Sequence, residues 1–242
     1  MNHHHLSDVW VYLAASPLLG LTATLIAYQF AYLIYTKCRF SPLANPVAIS
    51  VILIVSVLVA TDTPYQTYFA GAQFVHFLLG PATVALAVPL YQQMSRLRDQ
   101  WRAFLVGAVL GSASAIATAM MIASVLGASR TTVLSLASKS VTMAIAMGVS
   151  EKVGGLPSLT AALVMLTGII GAMISASILN LLQIRDDAIR GFALGVSAHG
   201  IGTARAFQIN EQMGAFAGLA MGLSGLLTAL VLPFALRLLG VI

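Results

Sequence analysis

Lys139 stands near the middle of an apolar stretch, residues 131–150, with hydroxyls beside it at Ser138, Ser140 and Thr142. An ionised side chain near a bilayer centre costs about 2.5–3.5 kcal/mol on insertion scales, so something must offset it. Glu151 is more than three helical turns away and is a poor local partner. Two readings follow. Lys139 snorkels to the interface, or it faces a cavity and supplies positive charge to a substrate carboxylate.

A second group lies in Ser197-Ala198-His199-Gly200-Ile201-Gly202-Thr203-Ala204-Arg205. Two glycines and a serine beside His199 are poor helix formers, which predicts an unwound stretch with backbone amides open to a ligand. Arg205 offers a planar fork to a carboxylate, and His199 titrates near neutral pH and suits a proton relay. The plainer alternative is helix packing through Gly200 and Gly202, with Arg205 snorkelling. A third group is Gly80-Pro81-Ala82-Thr83. A half-helix starting at Pro81 aims free N–H groups and its positive dipole end at an anion; a simple proline kink is the alternative. His76, one turn earlier, reads as a packing residue.

Little here suits catalysis. The chain has no metal-ligand spacing, no phosphate-cradling glycine loop and no Ser/His/Asp set in a familiar context, so neither a cofactor nor a metal is expected. The adjacent pair Asp186-Asp187 reads as a solvated loop. Cys38, the single cysteine, excludes an intrachain disulfide and reads as a small residue at a helix end. His3-His4-His5 is compatible with a tag remnant or a natural start.

The elements that position these residues follow from composition. Hydrophobic residues make up 59% of 242 and charged ones 8%, against about a quarter charged in soluble domains. Such a chain cannot cover a water-facing surface, and its solvent is the lipid bilayer. Backbone groups in lipid must pair internally, in helices or closed barrels. Continuous apolar runs such as Val47–Ala60 and Phe104–Leu126 exclude the alternation of barrel strands. The fold class is therefore all-α integral membrane protein. The net charge of +5 is scattered, with no basic stripe interleaved with aromatics, so nucleic acid is not a partner.

Along the chain, the first helix is expected from about Asp8 to Tyr35, then the basic loop Lys37-Cys38-Arg39, and a shorter helix to Ala60. Arg96-Leu97-Arg98-Asp99-Gln100-Trp101-Arg102 reads as the most basic loop, before an uninterrupted span in which Gly107 and Gly111 mark a packing face. Pro157–Leu182 and about Met213–Leu239 complete the long helices, with Glu211 and Gln212 in the first turn of the last. Residues 1–62 read as an N-terminal scaffold and 63–242 as a core with broken helices near 79–83, 137–142 and 197–203. Pro81–Val88 is similar to Ser140–Met147, which suggests an internal repeat. If 131–155 and 186–209 are re-entrant there are six full crossings, an elevator-transporter-like arrangement; if both cross, there are eight. The positive-inside rule favours the first.

Several long motifs in order carry a family resemblance: Phe77-Leu78-Leu79-Gly80-Pro81-Ala82-Thr83 and onward to Tyr91, Lys139-Ser140-Val141-Thr142, Gly154-Gly155-Leu156-Pro157-Ser158-Leu159-Thr160, and Arg190-Gly191 through Ala198-His199-Gly200-Ile201-Gly202-Thr203-Ala204-Arg205-Ala206. Over residues 60–235 the chain resembles the LrgB/CidB family of bacterial membrane proteins. The resemblance implies an LrgA/CidA-like membrane subunit as partner and an inner-membrane location. It also implies one of two roles: holin/antiholin-like control of murein hydrolases and autolysis, or movement of small carboxylates such as glycolate, glycerate or pyruvate. A homo-oligomer is expected. The family pattern has prolines where this chain has Ser138 and Ala144, and threonine where it has Met143.

Overall fold

The computed structural model describes residues 17–78, 81, 84–85 and 87–242; its regular elements are all helices, with no strand among the described residues. The chain divides into two compact units, Met1–Ala85 and Leu86–Ile242. In the first unit, α1 (Pro17–Lys37), α2 (Pro46–Ala60) and α3 (Tyr65–Phe77) pack together. Asn45 starts α2, its Oδ1 accepting from the amides of Val47 and Ala48 at 2.9 and 3.2 Å, with Pro46 in the first helical position. The helices α1 and α3 cross so tightly at Gly20 that a Cβ there would overlap Tyr68 O. Apolar side chains gain nothing by leaving lipid for one another, so close backbone approach through small residues is what holds such pairs.

The second unit contains α4 (Ala87–Gln92), α5 (Met94–Val125), α6 (Arg130–Ala137), α7 (Met143–Val153), α8 (Pro157–Leu181), α9 (Asp187–Ile209) and α10 (Glu211–Leu238). Among the described residues, four helices (α1, α5, α8 and α10) are long and apolar enough to cross a bilayer. One expectation is overturned. Arg96–Arg102 is not a loop but the first turns of α5, a 32-residue helix about 48 Å long. Hydropathy ends there while helix propensity does not: Arg, Leu and Gln favour helix, and no Gly or Pro intervenes.

The segments between the long helices are two hairpins. Ser135 Oγ in α6 accepts from the amide of Leu156 at 2.8 Å, and Thr160 Oγ1 donates to Ser135 O at 3.1 Å. If α6 and α7 were collinear, some 30 Å would separate these groups; the chain therefore turns back at 138–142. Likewise α9 reverses at His199 (φ 42, ψ −133). A Cβ on Gly202 would lie 2.7 Å from Leu194 O, eight residues earlier, which only two apposed arms allow.

The hairpins enter from opposite ends. The first has its base beside the start of α8 and the chain terminus, where Arg130 donates to Val241 O. The second has its base beside the other end of α8. There Arg190 Nη1 donates to Asn180 Oδ1 and Ile184 O, at 2.8 and 2.9 Å. The 25 residues of α8 span about 37 Å, and each hairpin arm reaches roughly half that. The order hairpin–span thus occurs twice, over residues 130–181 and 187–238, in opposite directions and at equal length. This repetition is not the one the sequence suggested; Ala82, Thr83 and Leu86 of that pairing lie outside the described residues.

Candidate functional site: two opposed hairpin tips

Each hairpin is built by local chemistry. Ser129 caps α6, its Oγ accepting from Thr132 N. Gly154, at φ 87, ends α7 in the left-handed conformation that glycine adopts freely. The helix breaks after Ala137, and Ser138 Oγ donates to Ala146 O at 3.0 Å across the turn. In the second hairpin the base is closed by the two aspartates. Asp186 Oδ1 accepts from Ile189 N at 3.0 Å and its Oδ2 pairs with Arg96 at 2.5 Å. Asp187 Oδ2 accepts from Asn210 Nδ2 at 2.8 Å. Asp186 stays solvated as expected, its side chain 39% exposed, but the pair is no simple loop: its partners lie 90 residues before and 23 after, separations no local reading covers. The guanidinium of Arg96 holds the Asp186 carboxyl below its ordinary range.

The tips converge on α8. Val141 of the first tip packs with Val164, and His199 of the second lies within 2.9 Å of Val164 O through Nε2. A carbonyl only accepts, so Nε2 carries the proton. The ring fits because residue 168 is glycine; a Cβ there would lie 2.8 Å from Cε1. Lys139, half-buried, donates from Nζ to Ser140 Oγ at 3.2 Å. Thr142 starts α7 without a side-chain cap bond.

The expected unwinding over 197–203 is confined to His199. Gly200, Gly202 and Thr203 are helical, and Thr203 Oγ1 donates to His199 O at 2.9 Å. Gly202 serves the close approach of the two arms. Arg205 is in the returning arm, about 200° round from Thr203, with Nη1 donating to Gln208 Oε1 at 3.2 Å. Pro81 is helical and exposed in the other unit; Gly80, Ala82 and Thr83 lie outside the described residues, as does the side chain of His76.

Sequence reading missed the wall of this site. A cavity of about 10 Å³ opens between the first tip, α5, α9 and α10. Ser112, Ser138, Ser140, Ser224 and Thr228 line it. Isolated serines and threonines in Ala-rich spans carry no motif; the four-residue spacing of Ser224 and Thr228, one face of one helix, was the available signal.

These features define a multi-pass, all-α membrane protein whose second unit holds a pair of opposed helical hairpins with a cation at one tip. The chain belongs to the LrgB-like family, whose profile it matches over residues 24–238. It is 33% identical to the protein YwbG of Bacillus subtilis over 220 residues, 90% of this chain and 97% of that one. It is 28% identical to the antiholin-like protein LrgB of Bacillus mycoides, and equally to that of Bacillus cereus, over 93% of this chain and 98% of each relative. No solved structure matches it.

Proposed function

We propose that this protein moves small monocarboxylates such as glycolate, glycerate or pyruvate across the membrane, alone or as the transport subunit of a larger assembly. One observation carries the reading: the Lys139 ammonium sits at a re-entrant tip rather than at a helix end near bulk water. Two helices begin at these tips, α7 at Met143 and the returning arm of α9 at Gly200. The first N–H groups of a helix lack intrahelical partners and its N-terminal dipole is positive, so both starts reinforce the lysine in attracting an anion. Ser140 and Thr142 supply hydrogen bonds; His199 and Thr203, whose protons go to Val164 O and His199 O, shape the second tip, and Arg205 is assigned to the substrate path.

The test is uptake of labelled glycolate or pyruvate into proteoliposomes. Lys139→Ala and Arg205→Ala each abolish it while the protein stays monodisperse; full uptake in both variants removes the residue assignment.

A second reading is antiholin-like control of murein hydrolases and lysis. The names of the Bacillus relatives, antiholin-like proteins, favour it more directly than they favour transport; the geometry is what favours transport. It requires solute leakage that does not saturate, whereas a carrier saturates. In either reading we assign the chain to the bacterial cytoplasmic membrane, with an LrgA/CidA-like subunit as partner, assembly as a homo-oligomer, and residues 1–62 as scaffold. Arg96, Arg98, Arg102, Arg185 and Arg190 at the base of the second hairpin outnumber Arg130, Lys152 and Arg237 at the other end, which assigns the former to the cytoplasm.

A further inference from the structure

The two hairpins are held in unlike ways. The second is seated backbone against backbone: a Cβ on Gly191 or Gly195 would lie 2.0 or 2.1 Å from the carbonyl oxygens of Met213 and Ala217 in α10. Its tip is tied as well, through the 2.9 Å bond between His199 Nε2 and Val164 O of α8. The tip of the first hairpin has no such tie. Among the described residues its side-chain hydrogen bonds stay inside the hairpin, from Ser138 Oγ to Ala146 O and from Lys139 Nζ to Ser140 Oγ.

The first hairpin rests instead on the ends of side chains. Val149 and Val153 pack in one cluster with Leu232 and Leu236 of α10, and Ile145 Cδ1 faces Gly225. In lipid such contacts are exchanged for lipid chains at little cost, whereas a close backbone seat or a buried hydrogen bond is not. Leu232 and Leu236 also line an open cleft of about 410 Å³ between α5 and α10, so close packing does not confine the hairpin there. The base, by contrast, is fixed. Ser135, Ser150 and Thr160 are fully buried, with Ser135 Oγ accepting from Leu156 N and Ser150 Oγ 2.7 Å from Thr160 Oγ1. A Cβ on Gly155 would lie 2.4 Å from that Ser150 oxygen.

Resting on the transport reading above, we propose that the first hairpin, residues 130–153, is the moving gate of the site and the second hairpin its fixed wall. The gate pivots at the joint of Ser135, Ser150 and Thr160 and carries Lys139 with it. A bound carboxylate closes it, because the anion pairs with Lys139 on the gate and with the helix start at Gly200 on the wall. Without the anion, no hydrogen bond among the described residues draws the first tip toward the second. Closure of this kind shuts water out and commits the substrate.

The experiment uses the full chain with Cys38, its single cysteine, replaced by serine. Spin labels at Met143 and Leu181 report on the first tip, and labels at Ser197 and Leu181 on the second; all three positions are exposed, and each pair spans about 25 Å. Electron–electron distance measurements in lipid nanodiscs should give a broad or two-peaked distribution for the first pair that narrows with pyruvate. The second pair should give one narrow peak with or without it. Disulfides carry the test into function. Ile145→Cys with Gly225→Cys ties the gate to α10. Gly111→Cys with Val196→Cys ties the wall to α5, where a Cβ on Gly111 would lie 3.9 Å from Val196 Cβ, the separation a disulfide takes. Oxidation should stop pyruvate uptake into proteoliposomes in the first pair and spare it in the second, and dithiothreitol should restore the first. A first-tip distribution as narrow as the second's and unmoved by pyruvate, or uptake that survives oxidation of the first pair, overturns the gate and leaves transport standing. Absence of pyruvate uptake by the wild type overturns transport, while the distances measured without substrate still decide which hairpin moves.

Discussion

Asn210 and Asp187 stand at the two ends of one helical assignment, yet Asn210 Nδ2 donates to Asp187 Oδ2 at 2.8 Å. That bond is the base of a hairpin. Asn210 also caps α10, its Oδ1 accepting from Met213 N at 2.7 Å. Asn210→Ala removes the clamp and the cap together, and should destabilise by about 2 kcal/mol. Asp187→Ala should cost less, since it leaves the cap. Thermal unfolding in detergent tests the order; equal, negligible shifts would contradict the double role.

The backbone at His199 lies where non-glycine residues cost of order 1–3 kcal/mol. Within a regular helix, glycine is about 1 kcal/mol worse than alanine. Here the order should invert. Both His199→Gly and His199→Ala lose the bond to Val164 O, but only glycine relieves the strain, so it should unfold at the higher temperature. Alanine ahead of glycine would mean that the chain does not reverse at this residue.

Glycine contacts give graded expectations. A Cβ at Gly168 meets the His199 ring at 2.8 Å and Ile201 Cδ1 at the same distance. Gly168→Ala should displace the ring at a cost of about 1–3 kcal/mol and lower uptake. At Gly191 a Cβ would overlap the backbone of Met213, which cannot rotate away, so Gly191→Ala should prevent assembly. Gly222→Ala meets nothing within 4 Å and should be neutral or slightly stabilising. Size-exclusion profiles and melting temperatures of the three separate these outcomes.

The ion pair at the second hairpin's base is pH-dependent. Arg96 holds the Asp186 carboxyl below its ordinary 3.8. A carboxyl with a lowered folded-state value adds stability that is present above the unfolded value and is lost as pH falls through the folded one. The melting temperature of the wild type should therefore drop below about pH 4 more steeply than that of Asp186→Asn. Asparagine keeps the helix cap but not the charge. Parallel curves for the two proteins would show that the pair contributes nothing.

How far these features were legible depends on their range. The all-helical class and its lipid solvent follow from charge poverty alone. The break beside Lys139 was visible because a cation amid apolar residues demands a reason. Other features depend on distant partners. Arg96 looked like loop because hydropathy marks where lipid ends, not where helix ends. The pairings of Asp186 and Asp187 were hidden because their partners are remote in sequence. Ser112, Ser224 and Thr228 were silent, since a hydroxyl in an Ala-rich helix gains meaning only from the neighbours that surround it.

Gly191 and Gly195 lie directly against the backbone of Met213 and Ala217 in α10. The seat of the second hairpin is thus made later on the ribosome than the hairpin itself. Residues 187–209, with Asp187, Arg190, His199 and Arg205, must wait in the interface until at least the first half of α10 has emerged. Biogenesis therefore has a fixed order, in which the loop is unhoused while the chain has emerged only to Asn210 and can be held in place once it has emerged beyond Gly225.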